Sequence, residues 1–340
     1  MNKMNFPLFM MTLIMSVFIT ISSNSWFYIW MGMEINLMSF LPMMMEKNNL
    51  MSKESSLTYF MVQSIASMIM LLAVIMMMLM KEMIMMNNMS KMSKMMLMMS
   101  LMMKSGMSPF HFWMPKVMEG LLWNKCLILM TWQKLIPLMI MSNMIEVNLM
   151  NIIVMMLSVL VGSIGGLNQT SLRKIMAYSS INNNGWMLAA MLISEMTWLM
   201  YFMLYSILTY MMTMTMNLYK NYHINQIMLM KEKSIKKLIL MLNMLSMSGL
   251  PPMMGFIPKW LLIQSASSKF EMMLMLLMMM LTLITMYYYL RISFSLFMMT
   301  NIQPKWNLFK SPLMNSKMLM IINILSIKGI VMISLIMTLY

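Results

Sequence analysis

The sequence predicts an all-α, polytopic membrane protein, and three observations support this fold class. Hydrophobic residues make up 61% of the 340 residues and charged residues only 10%, whereas soluble domains carry about 25% charged residues. Apolar runs long enough to cross a bilayer recur along the chain. Basic residues are concentrated in every second connecting segment, which is typical of multi-pass proteins.

The apolar runs predict eleven transmembrane helices within a single domain that covers residues 1–340. The first run is interpreted as a helix that is retained, because it leads directly into the next run. The predicted helices lie near residues 5–22, 25–45, 56–80, 95–113, 121–142, 148–167, 172–193, 196–218, 236–264, 272–298 and 318–339.

The distribution of basic residues predicts the orientation of the chain. Fifteen lysine and arginine residues fall on the side of the N-terminus and four on the opposite side. By the positive-inside rule the N-terminus lies inside, and an odd number of helices then places the C-terminus outside. The net charge of +15 therefore reflects topology. It does not indicate nucleic acid as a partner, because the basic residues face one membrane surface with few interleaved aromatic residues.

Two segments share the pattern G-x-x-P-x-x-x-x-x-P-K, at residues 106–116 (GMSPFHFWMPK) and 249–259 (GLPPMMGFIPK). Gly and Pro interrupt the hydrogen bonds of a helix backbone, so the pattern predicts broken helices at about 95–117 and 236–264. Interrupted helices at corresponding positions of two halves are typical of transporters with inverted repeats. Chance is the alternative, because Gly and Pro are common in such helices.

Four ionisable side chains lie deep inside the apolar runs: Glu34, Lys104, Lys134 and Lys259. A charge at mid-membrane depth costs between ~3 and ~17 kcal/mol, depending on how far the bilayer deforms. Lys134 lies roughly twelve residues into its run, or ~18 Å of helix, which exceeds the reach of its own stem. Four such residues indicate movement of charge or protons in the membrane. The repeat aligns Lys259 with Lys116 rather than Lys104, so the halves are not fully equivalent.

Glu34 and Lys104 are the predicted switch pair, because an ionised carboxylate in an apolar run needs a nearby cation. Burial promotes proton release from an amine and a nearby carboxylate opposes it, so a change in their separation would load or unload the lysine. A purely structural ion pair is the alternative. Lys134, which precedes Pro137, and Lys259 would extend the pair into a hydrated line of proton-holding sites. Lys259 could instead reach the membrane surface through its long stem.

Other polar residues give weaker indications. His111, inside the first broken helix, either relays protons or hydrogen-bonds the loosened backbone. His223 lies in a predicted polar loop and is expected to be solvated, and Arg291 is either an interface anchor or a deeper relay. Glutamates near helix ends are interpreted as interfacial: Glu46, Glu54, Glu82, Glu146, Glu195, Glu232 and Glu271.

Motifs that hold redox cofactors, nucleotides or metals are missing from the sequence. Cys126 is the only cysteine, which excludes a CxxC motif or a self-contained iron–sulfur cluster. Two histidines are too few for several haems. There is no G-x-G-x-x-G, phosphate-binding loop, metal-ligand cluster or nucleophile–base pair. Any nucleotide or electron carrier of a redox enzyme would belong to partner chains.

Five segments resemble the subunit 2 family of mitochondrial NADH dehydrogenase, the antiporter-like chains of respiratory complex I. Together they cover most of the chain in the expected order, and the methionine-rich composition resembles arthropod members. The segments are SNSWFYIWMGMEINLMSFLP (23–42), MKSGMSPFHFWMPKV (103–117), LMTWQKLIPL (129–138), RKIMAYSSINNNGWM (173–187) and GLPPMMGFIPKWLLI (249–263).

The resemblance implies a proton-translocating module of complex I in the inner mitochondrial membrane, with the basic side facing the matrix. Its fold would be the eleven-helix antiporter-like bundle with two broken helices. NADH, FMN, iron–sulfur clusters and ubiquinone would be bound by partner subunits, so no cofactor is expected on this chain. Partners would be lipids and other membrane subunits, including neighbouring antiporter-like and small membrane chains.

The functional residues of the family fall on Glu34 and Lys104 as the paired switch, on Lys134 as the central lysine and on Lys259 as the broken-helix lysine. One departure is the segment MEGLLWNK (118–125), which lacks the Pro-rich loop of longer relatives. Two other functions remain as alternatives. A free-standing cation/proton antiporter is disfavoured because only one central acid is available, and a passive scaffold is disfavoured by the buried charges.

Overall fold

The computed structural model describes residues 5–46, 49–82, 87–228, 234–251, 253–266 and 269–298. This part of the chain is built from α-helices, and the all-α prediction is confirmed. The helices are α1 (Asn5–Ser22), α2 (Trp26–Met44), α3 (Leu50–Glu82), α4 (Asn87–Ser105), α5 (Trp113–Gly120), α6 (Trp123–Met130), α7 (Trp132–Ser142), α8 (Leu149–Gly165), α9 (Leu172–Ile193), α10 (Glu195–Tyr219), α11 (Ile224–Met228), α12 (Ser234–Ser248), α13 (Phe256–Ser265) and α14 (Lys269–Met298).

The predicted count of eleven spans is not reached in the described residues. Three runs are each split into two helices, namely α4/α5, α6/α7 and α12/α13, and the eleventh run, 318–339, lies outside the described residues. Splitting shortens the helices, and polar residues inside α2 and α9 lower their hydropathy. By length and apolar composition, four described helical segments can cross a membrane: Leu50–Leu79, Trp123–Ser142 (α6 and α7 taken together), Glu195–Tyr219 and Glu271–Leu296.

The chain divides into two compact units, Met1–Ser158 and Val159–Tyr340. In the first unit α2 packs against α1 and α3, α3 packs against α4 and α5, and α7 packs against α1, α4 and α6. In the second unit α10 packs against α9, α12 and α13, and α14 packs against α11 and α12. Each unit therefore contains one of the two predicted broken helices.

Buried hydroxyl groups are satisfied mainly within their own helices. Ser16 donates to the carbonyl of Leu13 at 2.7 Å, and Ser180 donates to the carbonyl of Ala177 at 2.6 Å. The same bond to the residue three positions earlier recurs in α2, α3, α4, α8, α12 and α14. Because an unpaired polar group is costly away from water, this local pairing lets serine and threonine lie inside apolar helices.

Gly162 places α8 directly against the backbone of α9, and its substitution should destabilise the protein. A Cβ atom at Gly162 would lie 2.6 Å from the backbone nitrogen of Asn182, whereas a Cβ at Gly165 would meet the ring of Tyr178. A ring can rotate and a packed helix backbone cannot. We expect Gly162→Ala to cost about 1–3 kcal/mol and Gly165→Ala clearly less, measured by thermal unfolding in detergent. Equal losses would contradict the backbone contact.

Candidate functional site

The first broken helix ends α4 at Ser105 and resumes as α5 at Trp113. Gly106 has φ of +73°, and its N–H donates to the carbonyl of Met103, while the N–H of Met107 donates to the carbonyl of Met102. This pairing is the Schellman arrangement that closes a helix C-terminus. The indole N–H of Trp113 also donates to the carbonyl of Met103 at 3.1 Å. The break is therefore a fixed structure with satisfied carbonyls.

The second broken helix repeats the positive φ and one of these two bonds at the glycine that the sequence pattern predicts. Gly249, which follows the last residue of α12, has φ of +81°, and its N–H donates to the carbonyl of Ser246 at 3.2 Å. Pro258 is the third residue of α13, and Pro115 is the third residue of α5. Proline is tolerated in the first turn of a helix because those N–H groups have no intrahelical acceptor. The G-x-x-P-x-x-x-x-x-P-K repeat thus corresponds to two structurally matching breaks.

The lysines do not follow this equivalence. Lys116 and Lys259 occupy the same position, directly after the proline, but Lys116 is exposed and Lys259 is only 4% exposed. At the break of the first unit the buried lysine is Lys104, two residues before Gly106, and it is 8% exposed. One unit therefore carries its buried amine before the break and the other carries it after the break.

Lys104 contacts the residue next to Glu34 rather than Glu34 itself. Its Nζ lies 3.4 Å from the sulfur of Met33, and the half-buried Glu34 carboxylate acts on it electrostatically without a direct ion pair. Ion pairs with N–O separations up to 4 Å join other residues in the described segments, namely Lys94 with Glu146 and Lys125 with Glu46. The predicted partners are therefore not in direct contact in this structure.

A cavity of about 20 Å³ adjoins Lys104. This volume suffices for about one water molecule. Four uncharged polar side chains that the sequence analysis did not single out contribute to its lining: Asn36, Tyr59, Gln63 and Gln133. Gln63 donates from its amide to the backbone carbonyl of Lys104 at 3.2 Å, which pairs one of the open carbonyls at the end of α4. The available sequence signal was the presence of glutamine and asparagine inside apolar runs.

Lys134 is 2% exposed and is among the largest fully buried side chains of the described residues. It lies in α7, just after a break at Thr131 that the sequence analysis did not predict. The hydroxyl of Thr131 donates to the carbonyl of Leu127 at 2.8 Å, and such bonds bend helices. Pro137 has no N–H to offer the carbonyl of Gln133 four residues earlier. Lys134 is therefore held in a locally loosened helix.

Lys259 is tied to the broken end of α12. Its Nζ donates to the carbonyl of Ser248, the last residue of α12, at 3.2 Å, and it lies 6.0 Å from the centre of the Trp186 ring. A cation at a helix C-terminus interacts favourably with the carbonyl end of the helix dipole, and an aromatic face adds to this. Lys259 therefore does not extend to the surface in this structure.

The second unit also buries polar atoms that have no protein partner among its described residues. They include Oδ1 of Asn182, both amide atoms of Asn243 and the hydroxyl of Tyr288. Nearby in sequence, the hydroxyl of Tyr201 donates to Asn183 at 3.0 Å. Because buried polar groups are normally paired with protein or with ordered water, these atoms mark positions for internal water.

The remaining polar residues have simpler surroundings. His111 is 7% exposed, and its Nδ1 lies 3.2 Å from the carbonyl of Pro109. A carbonyl only accepts, so Nδ1–H is the donor and the ring pairs the loosened backbone. His223 is exposed, as predicted for a loop, and Arg291 is exposed on α14. Among the described residues, no group of three or more His, Cys, Asp or Glu could hold a metal ion.

The family described as NADH:quinone oxidoreductase/Mrp antiporter, TM, matches residues 23–285. NADH-ubiquinone oxidoreductase chain 2 of Anopheles gambiae is 47% identical to the chain over 341 residues and covers 99% of both proteins. This chain belongs to the chain 2 family. The family member of Aedes aegypti is 49% identical over 339 residues, with 99% of each protein covered. The member of Locusta migratoria is 44% identical and covers 88% of this chain and 87% of its own length.

Solved structures support the fold that the chain 2 family implies. A chain of respiratory complex I from Thermus thermophilus superposes with a TM-score of 0.81 at 18% identity and covers 97% of this chain and 79% of its own length. A chain of the membrane-bound sulfane sulfur reductase, an archaeal respiratory membrane complex, gives a TM-score of 0.80 at 17% identity, with 96% and 73% covered. The antiporter-like architecture is thus confirmed, and the insect relatives agree with the predicted arthropod origin.

Proposed function

We propose that the chain is a core membrane subunit of NADH-ubiquinone oxidoreductase that takes part in proton translocation across the inner mitochondrial membrane. Membership of the chain 2 family supports the complex. The observation that carries the mechanism is the burial of three lysine side chains, Lys104, Lys134 and Lys259, each beside an interrupted helix. Buried amines beside such breaks are suited to take up and release protons, because an interrupted helix can admit water to them.

In this proposal Glu34 and Lys104 act as the switch and Lys134 and Lys259 as proton carriers. A change in the separation of the Glu34 carboxylate and the Lys104 amine would load or unload the lysine, and the two groups are not in direct contact in this structure. His111 pairs with the backbone of the first break, and its role as a relay stays a prediction. Electron transfer from NADH to ubiquinone would occur on other subunits, and the basic side of the chain would face the matrix.

The central lysine tests the proposed function. In the assembled complex in proteoliposomes, Lys134→Met should keep NADH oxidation partly intact and lower the number of protons pumped per electron. Removal of a group that transfers protons commonly slows a step about 100-fold or more. Lys94→Met is the matched control, because Lys94 is an exposed lysine of the same unit. An unchanged proton-to-electron ratio in Lys134→Met would overturn the proposal.

The free-standing antiporter is the less supported alternative. The match over 99% of a relative named as a chain of an oxidoreductase favours a subunit, although the family description also includes Mrp antiporters. Ion-gradient-driven proton transport by the purified single chain would support the alternative.

A further inference from the structure

Three side chains from three helices form a hydrogen-bonded string beside Lys104. The hydroxyl of Tyr59 in α3 donates to Oε1 of Gln133 in α7 at 3.2 Å. The amide Nε2 of Gln133 donates in turn to Oδ1 of Asn36 in α2 at 3.1 Å. Tyr59 is 2% exposed and Asn36 is 5% exposed. All three residues and Lys104 line the cavity of about 20 Å³.

The polar groups of this cavity suit one water molecule. A lysine ammonium has three N–H donors. Among the described residues, the Lys104 amine donates to the Met33 sulfur, which is a weak acceptor. Gln63 uses its amide N–H on the Lys104 carbonyl, so its Oε1 remains to accept. The backbone carbonyl of Gln133 lacks an intrahelical donor because of Pro137. Both groups can accept from a water that itself accepts from Lys104.

We propose that Asn36, Tyr59 and Gln133 are positioning residues that fix the walls of a cavity in which one water molecule lies against Lys104, and that this water exchanges protons with the lysine. This inference rests on the proposed function. In the exchange an N–H bond of the ammonium breaks, its electron pair stays on nitrogen, and the water oxygen forms a new O–H bond. The reverse step reloads the amine.

The string itself does not carry the proton. The Tyr59 proton points to an amide oxygen, and the amide of Gln133 cannot pass it on without forming a high-energy imidic acid. Gln133 therefore fixes Tyr59 and Asn36 in one arrangement and leaves the water as the mobile partner. Its position in α7, next to Lys134, also links the cavity to the helix of the central lysine.

Two variants and a matched control test the proposal in the assembled complex in proteoliposomes. Gln133→Leu removes both bonds of the string, and Tyr59→Phe removes a single oxygen atom. We expect proton pumping to fall about fivefold for each bond lost, the factor that corresponds to about 1 kcal/mol of hydrogen bonding. We also expect a larger D₂O effect on pumping, because proton exchange at Lys104 becomes rate-limiting. Tyr28→Phe, at an exposed tyrosine of the same unit, should leave both quantities unchanged.

The outcomes separate this inference from the proposed function. If Lys104→Met lowers pumping while Gln133→Leu and Tyr59→Phe retain the wild-type rate and D₂O effect, the water site is wrong and the proposed function stands. If Lys104→Met also pumps normally, the proposed function fails. Should Gln133→Leu not assemble, Tyr59→Phe carries the test. A cryo-EM map of the wild-type complex with ordered water should show density within hydrogen-bonding distance of Lys104 Nζ, and an empty cavity there would overturn the inference.

Discussion

Lys259→Met should lower proton pumping by the assembled complex about 100-fold, whereas Lys116→Met should leave it unchanged. The two lysines occupy the same position of the repeat, but only Lys259 is buried, with its amine on the Ser248 carbonyl and near the Trp186 ring. Loss of a proton-transferring group typically costs a factor of about 100 to 10,000. The measurement is proton uptake into proteoliposomes at a recorded rate of NADH oxidation, and Lys116→Met is the matched control.

A third variant separates proton transfer from simple capping of α12. Lys259→Arg retains a cation that can donate to the Ser248 carbonyl, but a guanidinium does not release its proton in proteins. The arginine variant should therefore assemble and fail to pump. Wild-type pumping with arginine would mean that the Lys259 amine serves only to stabilise the end of the helix.

Gly249→Ala should both destabilise the protein and impair pumping, whereas Gly106→Ala should chiefly destabilise it. Each glycine ends a half-helix with positive φ, a conformation that costs other residues about 1–2 kcal/mol. At Gly249, however, a Cβ atom would lie 2.8 Å from Nζ of Lys259 and would displace the amine, whereas at Gly106 it would meet the side chains of Met114 and Trp113. Both variants carry the backbone strain, but only Gly249→Ala also displaces the Lys259 amine.

Thermal unfolding and proton uptake should be measured on both variants. We expect similar losses of stability, near 1–2 kcal/mol, together with a further loss of pumping of about tenfold or more in Gly249→Ala. Equal pumping by the two alanine variants would show that the close approach of Gly249 to the lysine has no part in function.

Sequence reasoning located the breaks and the buried lysines because both depend on local chemistry. Glycine and proline interrupt a helix wherever they occur in it, and the distance of Lys134 from the start of its run fixes its depth. The break at Thr131 was missed, because threonine is not in itself a helix breaker and acts here through a hydroxyl bond to Leu127. The four polar residues of the cavity were missed because no pattern states which helices pack together.

The arrangement of Glu34 and Lys104 shows the same limit. The sequence predicts that both lie within apolar runs, but the depth of a residue does not define the direction in which its side chain points. Successive residues of an α-helix point about 100° apart, and here Met33 rather than Glu34 presents its side chain to the lysine amine. A rotation of α2 about its own axis would exchange these two neighbours.

The self-paired hydroxyls have a consequence for how the helices recognise one another. Because serine and threonine hydroxyls donate to carbonyls of their own helices, they contribute little to which helices pack together. The 71 methionine side chains are too flexible to impose a particular packing partner. The mutual fit then depends on a few points of backbone contact at Gly120, Gly162 and Gly255, where even a methyl group would collide with the adjoining main chain. Substitutions should therefore be widely tolerated at the methionines and poorly tolerated at these three glycines.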